Sequence, residues 1–198
     1  MPSELATQTR KAFEFVEKLY FEMSYLIKEV EGLLQREDDK FVILRSSGYS
    51  VTTRTSTGLE PLNVEYWLSK SFSVFFCPER MTKLKGGITE TKISEDLRLL
   101  ILHIDLINKE IHEPKIIGGF LYDIISKKDN WNKFENLMWE FSYNGNKVFS
   151  KIPHIGYEDS YCSFKGEVFK DKLYSIKNSD DVDKKLVKPM ADLYGKKS

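Results

Sequence analysis

The chain reads as an α+β fold: a largely antiparallel sheet packed by a long N-terminal helix, a helix near residues 130–143 and a C-terminal helix. Three observations predict it. Helical periodicity marks the two ends of the chain and one stretch after residue 129. Short β-prone runs fill most of the middle. Apart from the helix near 130–143, no long crossover helix separates one run from the next, so the sheet should be largely antiparallel. The 198 residues fit a single domain, 1–198, with about five to seven strands.

Residues 3–36 form the first helix. Phe13, Val16, Tyr20, Met23, Ile27, Val30 and Leu34 recur at alternating steps of three and four, and Leu19, Leu26 and Leu33 add a second row. Glu14, Glu17, Lys18, Glu22, Lys28, Glu29 and Glu31 cover the other side. Ser3 suits the N-cap. A helix of this length spans about 50 Å, more than the domain covers. Its end is therefore expected to overhang and mediate association, or to break near Gly32. The steps also make a heptad seam, but the apolar face is wide enough to favour packing on the chain's own sheet.

Strands follow the acidic turn Glu37-Asp38-Asp39. Phe41 to Arg45 is short and β-prone. Gly48 to Gly58, dense in Ser and Thr, reads as an exposed edge or hairpin arm. Ser71 to Cys77 alternates Phe72, Val74 and Phe76 against Ser71, Ser73, Phe75 and Cys77, with Pro78 as its stop. Arg80 to Thr91 is polar, carries Gly86-Gly87 and is expected to be a mobile loop. Leu97 to Ile107 fits a strand or a helix. The strand is preferred because Ile116 to Ile125 follows as a matching strand. Pairing the two as a hairpin is expected to set Asp105 opposite Gly118 and His103 opposite Phe120. Gly118-Gly119 marks a bulge or a close backbone approach.

The helix near 130–143 rests on Trp131, Phe134, Met138 and Phe141, with Asn144-Gly145 ending it. Lys147 to Ser150 is a short strand candidate, Tyr157 to Tyr161 a polar loop, and Tyr161 to Ile176 one or two strands around Gly166. Asn178 or Ser179 caps the last helix, whose stripe is Val182, Leu186, Met190 and Leu193. Pro189 must kink it or restart it, and Gly195 stops it.

Composition narrows the function. Lys+Arg and Asp+Glu are 30 each, so the net charge is zero and nucleic acid is not favoured as a partner. No run of apolar residues is long enough to span a membrane. The N-terminus lacks the basic and apolar regions of a signal peptide. Cys77 and Cys162 sit in strand-like apolar text and read as reduced, buried thiols, which with the missing signal places the protein in the cytoplasm. P-loop, dinucleotide-binding, zincin, nucleophile-elbow and paired C-x-x-C patterns are absent.

Dispersed residues supply the candidate chemistry. Asp105, Glu113 and Lys115 make a D…E-x-K set, in which two carboxylates hold Mg²⁺ and the lysine stands beside the attacking water. Pro114 inside the motif and a second E-x-K at Glu90-Thr91-Lys92 weaken it. His103 and Asp105, two apart on one strand face, form the base and orienter of a nucleophilic set. The commoner arrangement is a half-buried histidine satisfied by a neighbouring acid. Arg45, Gly48, Arg54 and Gly58 make a weak anion site on an edge. Cys77, Cys162, His103, His112 and His154 lack the close ligand pair of a zinc centre, so no metal site is expected. Trp67, Phe72, Phe75, Phe76, Tyr157 and Tyr161 are either core or interface aromatics.

These features favour a non-catalytic interaction subunit or adaptor in a larger assembly, with a protein partner or a second copy of itself and no cofactor. An Mg²⁺-dependent nuclease or phosphodiesterase using Asp105, Glu113 and Lys115 is the first alternative. A phosphate- or nucleotide-binding regulatory domain is the second.

Overall fold

The computed structural model describes residues 2–44, 68–85, 88–90, 97–107, 113–127, 137, 141, 148–160 and 162–196. Its centre is a six-stranded antiparallel sheet in the order β1-β2-β5-β6-β8-β7. The strands are β1 (Phe41–Ile43), β2 (Ser71–Pro78), β5 (Leu99–Asp105), β6 (Lys115–Ser126), β7 (His154–Glu158) and β8 (Cys162–Lys172). Strand is thus the correct reading of Leu97 to Ile107. Every residue of β5 is buried, as expected of a strand paired on both edges and covered on both faces.

The first face packs on helices. α1 (Pro2–Leu34) runs through Gly32 without a break and lays Met23, Ile27, Val30 and Leu34 on Val74, Phe76, Leu100, Leu102, Ile104, Ile116 and Phe120. The C-terminal helical segment adds Val182, Leu186, Val187, Met190 and Tyr194. Full burial of each large apolar side chain contributes on the order of 1.5–3 kcal/mol. Asn178 caps α2 (Ser179–Val182) by accepting the Asp181 N–H, and the Ser179 hydroxyl donates to Glu29 of α1. Residues Asp183–Val187 then form a π turn before α3 (Lys188–Gly195). Pro189 explains it. Its ring would strike the carbonyl four residues back, so the preceding turn widens and Lys188 N–H donates to Asp183 O.

The second face carries Phe75, Cys77, Leu99, Ile101, Ile117, Leu121, Ile155, Phe164 and Val168. Leu137, Phe141 and Val148 are helical and buried against it. Otherwise the stretch 128–147 lies outside the described residues.

Local expectations need correction in five places. The β5–β6 ladder sets Asp105 opposite Lys115 and His103 opposite Ile117, not Gly118 and Phe120. The expected register would have driven Asp123 into the core opposite Leu100. The observed one pairs Ile104 with Ile116 and puts opposite charges across from each other. Gly118-Gly119 holds no bulge; the irregularity lies between Tyr122 and Ile125, where Asp123 has φ 52°. The close approach does hold, since a Cβ on Gly119 would lie 2.5 Å from the Glu167 carbonyl. Residues 83–90 contain a small ladder, β3 (Lys83–Lys85) with β4 (Ile88–Glu90), where a loop was expected. Phe149–Lys151 is a 3₁₀ turn instead of a strand, because neighbouring Val148 and Phe149 both turn to the second core, which strand alternation forbids. Tyr157 belongs to β7 rather than to a polar loop, and its ring stacks on Phe164.

Candidate functional site

The sheet register gathers three of the candidate residues, His103, Asp105 and Lys115, at one end of the second face. Odd-numbered positions of β2 and β5 share that face. Ser71, Asp105, Lys115 and Lys172 therefore stand in one cross-strand row, and Ser73, His103, Ile117 and Lys170 in the next. Ser73 was not singled out from sequence. Its parity within β2 matched that of His103 within β5, but only the β2–β5 register makes them direct partners.

Ser73 Oγ and His103 Nδ1 are 2.8 Å apart, and both residues are buried. The bond forms with either neutral tautomer of the ring. His103 is 3% exposed and lies 4.7 Å, centroid to centroid, from the Phe149 ring. Burial pushes its pKa down to about 4, because the cation would lose its hydration. The imidazole is therefore neutral at physiological pH. Ser73 occupies Nδ1, the nitrogen an orienting carboxylate would take in a nucleophile–base set. A serine on Nδ1 and a phenylalanine over the ring describe a satisfied core histidine.

The D…E-x-K set is brought only partly together. Asp105 is 6% exposed and faces Lys115 across the ladder. Glu113 lies in the exposed bend before β6, with its carboxylate 3.0 Å from Lys172 Nζ. Among the described residues no three His, Cys, Asp or Glu side chains gather as a metal site. Cys77 and Cys162 are buried free thiols, and burial pushes Cys77 up to about 12. His154 is exposed on β7. Arg45, Gly48, Arg54 and Gly58 lie outside the described residues, as do His112, Trp67 and Tyr161.

A second feature is apolar. Leu5, Phe13, Phe15, Phe21 and Tyr25 of α1 are 57–69% exposed. Residues 4–15 are exposed throughout, whereas the second half of the helix is anchored. Leu19 packs against the first core, and Tyr20 ties α1 to the segment before β2. Its hydroxyl donates to the Ser69 carbonyl at 3.0 Å, and its ring meets Phe72 edge-on. Among the described residues, positions 4–15 thus stand clear of the sheet, with apolar residues on more than one side. Leu68 and Ile107 are exposed at the same end of the sheet. No described helix is long and apolar enough to cross a membrane. No family model, curated protein or solved structure matches this chain.

Proposed function

We propose that this chain is a non-catalytic interaction subunit of a larger assembly and that the overhanging half of α1 is its docking element. The observation that carries this reading is the set of large apolar side chains left exposed along α1, Leu5, Phe13 and Phe15 on the overhang and Phe21 and Tyr25 on the anchored part beside it. A surface helix normally shows one apolar stripe, turned inward. Here the inward stripe is already taken by the sheet from Met23 onward, and further aromatics stand outside it. Exposed apolar groups clustered on one element mark interaction sites, and aromatic side chains dominate interface energetics. Glu4, Arg10, Lys11, Glu14, Glu17, Lys18 and Glu22 mix both signs along the same stretch, which favours a protein surface over a polyanion. Two reduced thiols support work in the cytoplasm.

The test compares the full chain with one lacking residues 2–16 and with Phe13→Glu/Phe15→Glu, each purified from the native host. The full chain is expected to carry a protein at fixed stoichiometry that both variants lose. Their melting temperatures should stay within about 2 °C of the parent, because the removed side chains are not in the core. Retention of that protein by the variants, or its absence from the full chain, would sink the reading.

A further inference from the structure

β7 is an end strand of the sheet, and among the described residues only β8 pairs with it. The phase of that ladder is fixed at both ends. Val168 N–H donates to the Pro153 carbonyl, and Asp159 N–H donates to the Cys162 carbonyl. Hydrogen-bonded pairs alternate along an antiparallel ladder, so residues 153, 155, 157 and 159 direct their backbone groups at β8. His154, Gly156 and Glu158 direct theirs outward. The side chains of His154 and Glu158 are exposed, whereas Ile155 is buried and Tyr157 is half-buried in the second core.

We propose that β7 is a self-pairing edge, onto which a second copy of this chain adds its own β7 antiparallel about a two-fold axis at Gly156. In that register each copy's His154 stands opposite the other's Glu158, and Gly156 meets Gly156. All three outward-facing residues then exchange both backbone bonds with their partners, about six hydrogen bonds in total. The register is set by chemistry as well as by phase. An imidazole opposite a carboxylate is complementary in either protonation state of the ring. Lys127 Nζ already lies 2.7 Å from the Glu158 carboxylate, so the two-fold builds a Lys127–Glu158–His154 chain on each side of the axis. Shifting either strand by two residues in either direction leaves an outward-facing residue unmatched.

Gly156 supplies an independent argument. Gly118, Gly119 and Gly166 are each crowded where a Cβ would stand, but a Cβ on Gly156 meets nothing within 4 Å and its φ is not positive. Among the described residues nothing in a single copy requires glycine there, and glycine weakens a strand. A glycine in a strand is accounted for when another backbone approaches it closely, which the two-fold axis provides. The face of β8 beside this edge is solvated and polar, with Lys165 paired to Asp123. α1 and α3 pack against β1 and β6, and among the described residues only β8 pairs with β7.

A contact of five residues per copy is small, so the dimer is weak, with a dissociation constant of about 10–100 µM. Sedimentation of the full chain up to about 0.5 mM is expected to show a monomer–dimer equilibrium. Gly156→Pro removes one outward N–H and leaves the β8 ladder intact; it should weaken the dimer at least tenfold. His154→Glu sets carboxylate against carboxylate and should do the same, and His154→Glu/Glu158→His should restore pairing. If the proline variant fails to fold, the charge-swap pair decides. A wild-type chain that stays monomeric at the top of the range overturns the proposal, as does a dimer indifferent to both substitutions. Removing residues 2–16 leaves β7 untouched, so this outcome is separable from that for the α1 docking element.

Discussion

His103, a candidate base in the sequence, is a buried ring partnered by Ser73. Its pKa is down at about 4 in the folded protein and about 6.5 in an unfolded chain. Between those values the unfolded state binds the proton and the folded state does not. Stability is therefore complete above pH 6.5 and declines as the pH falls toward 4. At about 1.4 kcal/mol per pH unit, the loss comes to about 3 kcal/mol. Urea midpoints measured from pH 7 to 4 should show this decline. In Ser73→Ala/His103→Leu the part of it due to His103 should vanish. Ser73→Ala alone leaves a buried ring nitrogen without its partner and should cost about 1–3 kcal/mol at pH 7. The double variant should recover much of that loss, because it removes both polar groups. A double variant whose midpoints follow the parent's pH dependence would contradict this account of the pair.

Elements were legible in the sequence wherever one physical signal dominated. Alternation in Ser71 to Cys77 assigned Phe75 and Cys77 to one face and Val74 and Phe76 to the other, and the two cores divide along that line. The three-and-four spacing found α1 and the final helix, and Pro189 foretold a distortion there. Register was not legible. Alternation fixes which face a residue takes but not which partner it meets, and an odd shift between β5 and β6 moved Gly118 to the face opposite Asp105. The Ser73–His103 pair was hidden for the same reason. Glycines separate the two kinds of knowledge. Gly32 sits in the last turn of α1 with nothing within 4 Å of a Cβ, whereas a Cβ on Gly119 would press on the Glu167 backbone at 2.5 Å. Gly32→Ala should therefore stabilise by about 0.5–1 kcal/mol through helix propensity. Gly119→Ala should destabilise by about 1–3 kcal/mol or more through overpacking. Thermal melts of the two variants should move in opposite directions; a shared direction would mean that the packing at one of these sites is misread.

At the scale of the whole molecule, the expectation of a single domain rests on one sheet serving two cores. β5 contributes Leu100, Leu102 and Ile104 to the first core and Leu99 and Ile101 to the second. Neither core survives the loss of that strand, so the two should open together. The thiols can report this, since both lie in the second core but far apart in the strand order. Cys77 lies near the end of β2, beside β1. Cys162 begins β8, where its N–H donates to the Asp159 carboxylate at 2.7 Å and its carbonyl accepts the Asp159 N–H, which guards that end against fraying. Neither thiol is exposed in the native state, and Cys77, with its pKa raised to about 12, is almost wholly the unreactive thiol form. Labelling by a disulfide reagent under native conditions should therefore proceed only through opening of the fold. If the chain is one cooperative unit, the two protection free energies should agree with each other and with the unfolding free energy from urea, within about 1 kcal/mol. A Cys162 that labels at a much lower free energy than Cys77 would mean that β7 and β8 open as a unit of their own. The sheet would then be two substructures sharing a seam at β6.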